Sequence, residues 1–239
     1  MRSCMNEMPV DFTPEEMMTI AAARRFRDGA VYFVGVGLPS IAACLARELH
    51  APDITLVYES GVIGARPSKP PLSIADPELA ETATALVSVP EVFNYWLQGG
   101  RVDVGVLGAA QIDRLGNLNS TVIGEYSGPK VRLPGAGGAP RIAAHAREIV
   151  VIVRHSPKAF VSCLDFVSTS PRGRVTVVTD LGVLDTGAAG GELALTAIHP
   201  GVDADRVRAA TGWDLVVADG LVEERPATAS EISALRALQ

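Results

Sequence analysis

Residues 30–49 read AVYFVGVGLPSIAACLAREL: an apolar run, a glycine turn, and then a stretch rich in Ala and Leu. The apolar run from Ala30 to Val36 predicts a strand, and Gly35 and Gly37 predict a tight turn after it. The stretch from Ser40 to Leu49 predicts a helix. A strand, a glycine turn and a helix in this order are typical of α/β proteins.

The segments on both sides of this unit continue the alternation. Upstream, Thr13, Pro14 and Glu16 have the spacing of a capping box, which predicts a helix that runs to Arg27. Downstream, Ile54 to Tyr58 is β-branched and apolar enough to predict a strand buried on both faces. The remaining pattern predicts helices near 76–85, 89–98 and 203–210, a helical stretch from 140 and a short helix from 228. It also predicts strands near 102–107, 149–153, 175–178, 181–184, 193–198 and 215–217, and a hairpin-like turn over 108–119.

Strands that alternate with helices favour an α/β fold with an open, mostly parallel central sheet flanked by helices. The run of short strands after Ile149 indicates a mixed, partly antiparallel edge toward the C-terminus. Neither an internal repeat nor a low-complexity linker divides the sequence. We therefore expect residues 1–239 to form a single domain.

Charge and composition exclude several classes of protein. Of the 239 residues, 21 are Lys or Arg and 27 are Asp or Glu, a net charge of −6 with no basic cluster, which argues against a nucleic-acid partner. No apolar run approaches the roughly 18 residues of a membrane span. Met1 to Pro9 lacks the apolar core of a secretion signal, and Cys4, Cys44 and Cys163 form no CxxC pair. These features predict a cytoplasmic protein.

Common catalytic motifs are missing from the sequence. It contains no phosphate-binding GxxxxGK[ST] and no HExxH, and the nearest approach to GxSxG, at 124–128, has its serine one place late. The four histidines lack metal-like spacing, so no metal site is expected. The GxG of Gly35 and Gly37 has no third glycine at the offset of a dinucleotide fingerprint, and a tight turn is the favoured interpretation.

Glu59 is the strongest candidate for chemistry. It follows a predicted buried strand, and open α/β sheets bind their ligands at the carboxyl ends of such strands. A carboxylate at a strand end can also be a solvated terminus or a helix cap. Two glycine clusters elsewhere in the sequence have backbone N–H groups that could face a developing oxyanion.

An ordered set of motifs resembles one family along most of the chain, from Met17 to Leu215. The motifs are GVGLP at 35–39, APD at 51–53, ESG at 59–61, GAAQID at 108–113, GNLN at 116–119, GAGGA at 135–139 and VTDLGV at 178–183. The sequence looks like the β subunit of the family I CoA-transferases, and it is most similar to the glutaconate CoA-transferase type. The central sheet is accordingly expected to be CoA-transferase-like.

The resemblance implies a role for each candidate residue. Glu59 would be the nucleophilic glutamate that carries CoA as a thioester. Gly137 and Gly138 would supply the oxyanion donor and the close approach of CoA, with a plain turn before the helix from Pro140 as the open alternative. Candidates for lining the substrate pocket are Gly35, Gly37, Ser60 and Gly61. The substrates would be an acyl-CoA and a carboxylic acid, with no permanently bound cofactor, and the partner would be an α subunit in a heterodimer or a higher heteromer.

Several alternatives stay open at this point. Relatives that lack the glutamate decarboxylate or hydrolyse an acyl-CoA on the same scaffold, and a third interpretation is a non-catalytic scaffold subunit. Gln111, Asn117 and Asn119 either bind substrate or tie their own hairpin. Arg66 and Lys69 either attract a carboxylate or the CoA phosphates, or are solvated loop charges.

Overall fold

A ten-stranded sheet is the centre of the fold in the computed structural model, which describes residues 11–238. Its members and four short flanking strands are, in chain order, β1 (Val31–Val34), β2 (Thr55–Val57), β3 (Val62–Ile63), β4 (Ala85–Leu86), β5 (Val104–Leu107), β6 (Gln111–Ile112), β7 (Leu118–Asn119), β8 (Val122–Ile123), β9 (Val131–Arg132), β10 (Glu148–Ile152), β11 (Arg174–Val178), β12 (Gly182–Ala189), β13 (Glu192–Ile198) and β14 (Val216–Glu223). In space the sheet order is β14-β13-β12-β11-β10-β5-β1-β2-β3-β4.

The helices lie on both faces of this sheet. They are α1 (Pro14–Ala23), α2 (Leu38–Leu49), α3 (Pro77–Glu81), α4 (Val89–Glu91), α5 (Ala139–His145), α6 (Ala204–Ala209) and α7 (Ala229–Ala237), and a π-helix (Val92–Leu97) continues α4. Thr13 caps α1 with the predicted capping box, because the Thr13 hydroxyl accepts from the Glu16 N–H while the Glu16 carboxylate accepts from the Thr13 N–H. No helix within 11–238 is long and apolar enough to cross a membrane.

Strand direction confirms the predicted fold class. β1 pairs in parallel with β2 and β5, β5 with β10, and β10 with β11, so the middle of the sheet is parallel. β12 is antiparallel to both β11 and β13, which confirms the mixed edge toward the C-terminus. The antiparallel pair β3 and β4 forms a second mixed edge that the sequence did not predict. These strands have two residues each, too few for a period of two to be visible.

Some predicted boundaries were wrong. α1 ends at Ala23 rather than Arg27, since Arg24 caps the helix and Arg25 and Phe26 continue in tight turns. The helix expected over 76–85 is the shorter α3, and its last predicted residue lies in β4. β12 and β14 extend beyond the predicted strand ends at 184 and 217. The expectations for Met1 to Pro9 and for Cys4 lie outside the described residues.

Alternating side chains divide the core into two layers. Tyr32, Leu56 and Val106 face the layer formed with α1, α2 and α7. Phe33 and Val57 face the opposite layer, where α5 and the π-helix pack. Because successive strand residues point to opposite faces, residues that follow the strand ends continue this alternation. The face on which a loop residue starts is therefore set by the strand before it.

Candidate functional site

Glu59 lies just beyond the carboxyl end of β2, on the face that α5 covers. Val57 is buried in the α5 layer and Tyr58 in the opposite layer, so the period of two returns Glu59 to the α5 side. β2 lies between β1 and β3 in the sheet, and its residues are held by register with β1. The strand thus delivers a half-buried carboxylate to the edge where α/β proteins bind ligands.

The glycine cluster that begins at Gly135 meets this carboxylate. Gly138, the N-cap of α5, donates its backbone N–H to Glu59 Oε1 at 3.0 Å. A methyl group built on Gly138 would lie 2.5 Å from that oxygen and 2.7 Å from Cζ of Phe93. Gly137 has φ +51°, and a methyl group there would lie 3.8 Å from Oε1. Only glycine at 138 permits this close approach, so the structure brings Glu59, Gly137 and Gly138 together.

The electrostatic setting of Glu59 is simple. Within 11–238, Oε1 accepts the one hydrogen bond to this side chain, and no Lys, Arg or His forms an ion pair with it. The N–H group at the start of a helix carries partial positive charge, which favours an anion there. The second oxygen, Oε2, accepts no hydrogen bond from the described residues. A carboxylate without a counter-ion and with one anchored oxygen is suited to nucleophilic attack.

Phe93 is a site residue that sequence reasoning missed. Its ring lies against the position of Gly138 and packs on Phe33 of β1 with ring centroids 5.7 Å apart. Phe93 belongs to the π-helix, a rare element that is frequent at functional sites. The sequence over 89–98 reads as an ordinary helix, so only the presence of an aromatic residue near a candidate strand end could have drawn attention to it.

Ser60 and Gly61 turn the chain beside Glu59. Gly61 has φ +97°, and a methyl group on it would overlap the carbonyl oxygen of Val87. The N–H of Val87 donates to the Gly61 carbonyl at 2.9 Å, which ties the turn to the segment before α4. The Ser60 hydroxyl is buried and has no hydrogen-bond partner in the described part of the chain. This geometry requires glycine at 61 for backbone reasons alone.

Gly35 and Gly37 differ in what the fold demands of them. Gly37 has φ +88° and is the N-cap of α2, so the backbone there favours glycine. A methyl group on Gly35 would meet only the Val106 carbonyl oxygen, at 3.9 Å, an ordinary contact. Because Phe33 faces the α5 layer, the alternation places Gly35 on the same face as Glu59. The two residues follow the neighbouring strands β1 and β2, and neighbouring strands are about 5 Å apart. Gly35 therefore has space that packing does not explain.

The amide-rich turn ties its own hairpin. Asn119 donates to Gln111 Oε1 at 2.7 Å and to the Val122 carbonyl at 2.7 Å. Gln111 in turn donates to Asp165 at 3.1 Å, and Asn117 donates to Asp113 at 2.9 Å. Each of these amides has a partner within the chain. The hydrogen bonds favour the structural interpretation of this turn over substrate binding.

The loop that contains Arg66 and Lys69 lies near the amino end of β2, opposite the end that Glu59 follows. Arg66 is 3.7 Å from Asp53, which precedes that strand, whereas Glu59 follows it. Lys69 is exposed on the same loop. If these two side chains attracted a carboxylate or the CoA phosphates, they would do so at the end of β2 opposite Glu59. Their position therefore fits solvated loop charges better.

The histidines have structural surroundings. His155 is buried, stacks on Phe160 with ring centroids 3.7 Å apart, and its Nε2 lies 2.9 Å from the Thr211 hydroxyl. Burial lowers the pKa of His155 to about 4, so its ring is neutral near pH 7. His199 Nε2 lies 2.7 Å from the Thr179 carbonyl. Over residues 11–238 no three His, Cys, Asp or Glu side chains are grouped to hold a metal ion.

Comparison with known proteins gives consistent matches. Residues 15–210 match the family model described as Coenzyme A transferase. A 3-oxoadipate CoA-transferase subunit of Pseudomonas knackmussii is 50% identical over 95% of this chain and 94% of its own length. The crystal structure of glutaconate coenzyme A-transferase from Acidaminococcus fermentans superposes with a TM-score of 0.86 at 29% identity, covering 95% of both chains.

A third similarity is to a protein with a different named activity. The crystal structure of the decarboxylase AibA/AibB matches with a TM-score of 0.85 at 31% identity, over 96% of this chain and 95% of that one. The same fold is thus found in proteins named for CoA transfer and for decarboxylation. The choice between these activities for this chain depends on the residues at the site.

Proposed function

Because the chain belongs to the coenzyme A transferase family, we propose that it moves CoA from an acyl-CoA to a carboxylic acid through a thioester on Glu59. The observation that supports this most directly is the 3.0 Å hydrogen bond from the Gly138 N–H to Glu59 Oε1. It anchors one oxygen of a carboxylate that forms no ion pair within 11–238. A carboxylate nucleophile, unlike a serine hydroxyl, needs no partner base to activate it.

The reaction would proceed in two halves. Oε2 of Glu59 attacks the carbonyl carbon of the acyl-CoA, the carbon–sulfur bond breaks, and CoA leaves as a thiolate. A mixed anhydride then joins the acyl group to Glu59. The thiolate attacks the Glu59 carboxyl carbon and expels the donor acid as a carboxylate, which leaves CoA on Glu59 as a thioester. The acceptor carboxylate attacks the glutamyl-CoA thioester and reverses both steps, so that the free energy of the original thioester bond is conserved in the new acyl-CoA.

Gly138 would stabilise the steps that occur at the Glu59 carboxyl carbon. When the thiolate or the acceptor attacks that carbon, negative charge develops on its carbonyl oxygen. With Oε1 in that role, the Gly138 N–H is at a distance, 3.0 Å, within the range of effective oxyanion donors. Gly137 keeps a side chain away from the same oxygen. The donor for the oxyanion on the acyl group itself would come from elsewhere in the pocket.

The pocket would be lined by Gly35, Gly37, Ser60 and Gly61 and completed by an α subunit. The relative from P. knackmussii is named as one subunit of a CoA-transferase. We propose an α/β heterodimer or a higher heteromer, with the α chain covering the open side of Glu59. CoA enters as a thioester substrate in this scheme, and no permanently bound cofactor takes part. The name of that relative makes 3-oxoadipate the first acceptor to test.

Decarboxylation or hydrolysis of an acyl-CoA is the second candidate, and the similarity to the decarboxylase AibA/AibB favours considering it. The carboxylate of Glu59 argues for transfer, because it is the group that can hold CoA covalently between the two halves. A purely scaffolding role comes third. A scaffolding role does not explain why Gly138 approaches Glu59 so closely.

Acceptor dependence separates these candidates. The reconstituted complex with its partner subunit would be given an acyl-CoA with and without an acceptor acid, and CoA, acyl-CoA and released acids would be followed by chromatography. Transfer predicts a new acyl-CoA that forms only when the acceptor is present. Release of free CoA, or of carbon dioxide, at the same rate without acceptor would favour the second candidate.

A further inference from the structure

A hairpin next to the glycine cluster carries two exposed cations. It consists of β8, β9 and the connection between them, and is called here the basic hairpin after Lys130 and Arg132. β9 leads directly through Leu133 and Pro134 into Gly135 and on to Gly138. The hairpin is therefore connected to the Glu59 site by the chain that carries the oxyanion donor.

Arg132 is held in place by aromatic packing. Its guanidinium carbon lies 4.9 Å from the centre of the Tyr126 ring, and Nη2 donates to the Tyr126 carbonyl at 3.1 Å. Tyr126 itself stacks on Phe166 with ring centroids 5.4 Å apart. A guanidinium fixed in this way loses less conformational freedom when it binds an anion, and its planar N–H groups match phosphate oxygens.

Among the described residues, neither cation of the basic hairpin lies within ion-pair distance of a carboxylate, although Glu125 lies in the same hairpin. Lys130 and Arg132 are both exposed, and Lys130 directly precedes β9 while Arg132 ends it. Neither forms an ion pair within the described chain, whereas Arg27 and Arg174 each pair with a carboxylate. The nearby Asp165 carboxylate already accepts from the Gln111 amide and from a backbone N–H. The hairpin charges are thus available to an anionic ligand.

An uncharged cavity lies between the basic hairpin and Glu59 along the chain. It has a volume of about 210 Å³ and is lined by Gly108, Ala109, Ala110, Ser120, Leu133 and Pro134. Gly108 follows β5, so this cavity opens at the same sheet edge as Glu59. No ionisable side chain of the described residues lines it. It suits an uncharged, largely apolar chain better than a phosphate or a free carboxylate.

The order of these features matches the order of groups in an acyl-CoA. The thioester lies at one end, the uncharged pantetheine arm in the middle and the phosphates at the other end. Arg132 precedes Gly138 by six residues, so the chain between them spans at most about 20 Å. We propose that Lys130 and Arg132 bind the phosphates of the CoA substrate while its pantetheine arm lies along the uncharged cavity. This inference rests on the proposed function of Glu59.

A comparison of two thioesters tests the proposal. The complex with Lys130→Gln and Arg132→Gln together would be assayed with an acyl-CoA and with the matching acyl-pantetheine, which lacks the phosphates. We expect KM for the acyl-CoA to rise about 10- to 100-fold with kcat unchanged. Activity with the acyl-pantetheine should change less than about twofold. Lys69→Gln, which removes an exposed charge at the other edge of β2, is the matched control and should alter neither substrate.

Two outcomes would overturn the proposal: equal loss on both thioesters, or an unchanged KM for the acyl-CoA. The affinity for free CoA, measured by calorimetry, tests the phosphate site independently of the covalent role proposed for Glu59. The hairpin variant should weaken CoA binding, and Glu59→Gln should bind CoA normally. If Glu59→Gln kept full turnover while the hairpin variant still bound CoA weakly, the covalent mechanism would fail and the phosphate site would stand.

Discussion

At the carboxyl edge of the central sheet, Glu59 accepts one backbone hydrogen bond and pairs with no cation in 11–238, whereas carboxylates near the amino edge are neutralised by arginines. Glu148 lies 3.0 Å from Arg27, and Asp185 lies 2.9 Å from Arg174. These four side chains line a cavity of about 400 Å³, roughly twice the volume of the uncharged cavity at the carboxyl edge.

If Glu59 is the reactive group, as we propose, then neither a carboxylate's charge nor the size of the cavity beside it is enough to identify that group. A carboxylate held by an arginine has its lone pairs occupied and its charge compensated, so it is a poor nucleophile. Glu59 has one anchored oxygen and one that accepts nothing in the described chain. Since we propose that the chemistry occurs at the smaller, glycine-lined edge, substitutions at the two edges should differ accordingly.

The largest effect is expected from Glu59→Gln. An amide cannot form the anhydride, so kcat should fall on the order of 10⁴-fold or more, the scale seen when a covalent nucleophile is removed. Glu148→Gln is the matched control at the amino edge and should leave kcat within about twofold. Steady-state kinetics of the reconstituted complex measure both. Similar losses from the two substitutions would remove the distinction between the edges.

Gly138→Ala should follow in size. Its methyl group would lie 2.5 Å from Oε1 and 2.7 Å from the Phe93 ring, so the carboxylate must move away from its donor. We expect kcat to fall about 10²- to 10³-fold, the usual loss when one oxyanion donor is misplaced. Gly220→Ala in β14 has open space around it and an unstrained backbone, and serves as the control. A fully active Gly138→Ala enzyme would show that the hydrogen bond is incidental.

Low pH should reduce the folding stability of the protein through His155, which lies at the carboxyl edge. Its pKa is about 4 in the fold, because burial disfavours the charged ring, and about 6.5 when unfolded. Between these values the unfolded chain binds a proton that the folded chain does not. Stability should be unaffected above about pH 6.5 and fall by about 3 kcal/mol as the pH drops to about 4. Urea unfolding at several pH values, with His155→Gln as the comparison, measures this slope; equal slopes would contradict the assignment.

The smallest effect is expected from Arg174→Gln at the amino edge. Arg174 is largely exposed, and Asp185 keeps hydrogen bonds from the Thr176 hydroxyl and the Gly187 N–H. Stability should fall by about 1 kcal/mol or less, and kcat should not change. Thermal unfolding and turnover can be measured on the same preparation. A marked loss of turnover would mean that the amino edge contributes to catalysis.

The features of the two edges also differ in how well the sequence predicts them. The capping box at Thr13, the glycine turn before α2 and the strand before Glu59 are local signals, and each of them was predicted. The pairing of β3 with β4 and the approach of Phe93 to Gly138 join segments distant in sequence, so no local period reports them. The free space at Gly35, the ion pairs at the amino edge and the cation–π contact in the basic hairpin likewise depend on tertiary packing.

The most direct test is the covalent state of Glu59. The complex would be incubated with an acyl-CoA and no acceptor, digested, and its peptides measured by mass spectrometry, with and without hydroxylamine. We predict a CoA adduct on the peptide that contains Glu59, replaced by a hydroxamate after hydroxylamine and absent from Glu59→Gln. Turnover by transfer with an unmodified Glu59 throughout, or an adduct on another residue, would contradict the proposed mechanism.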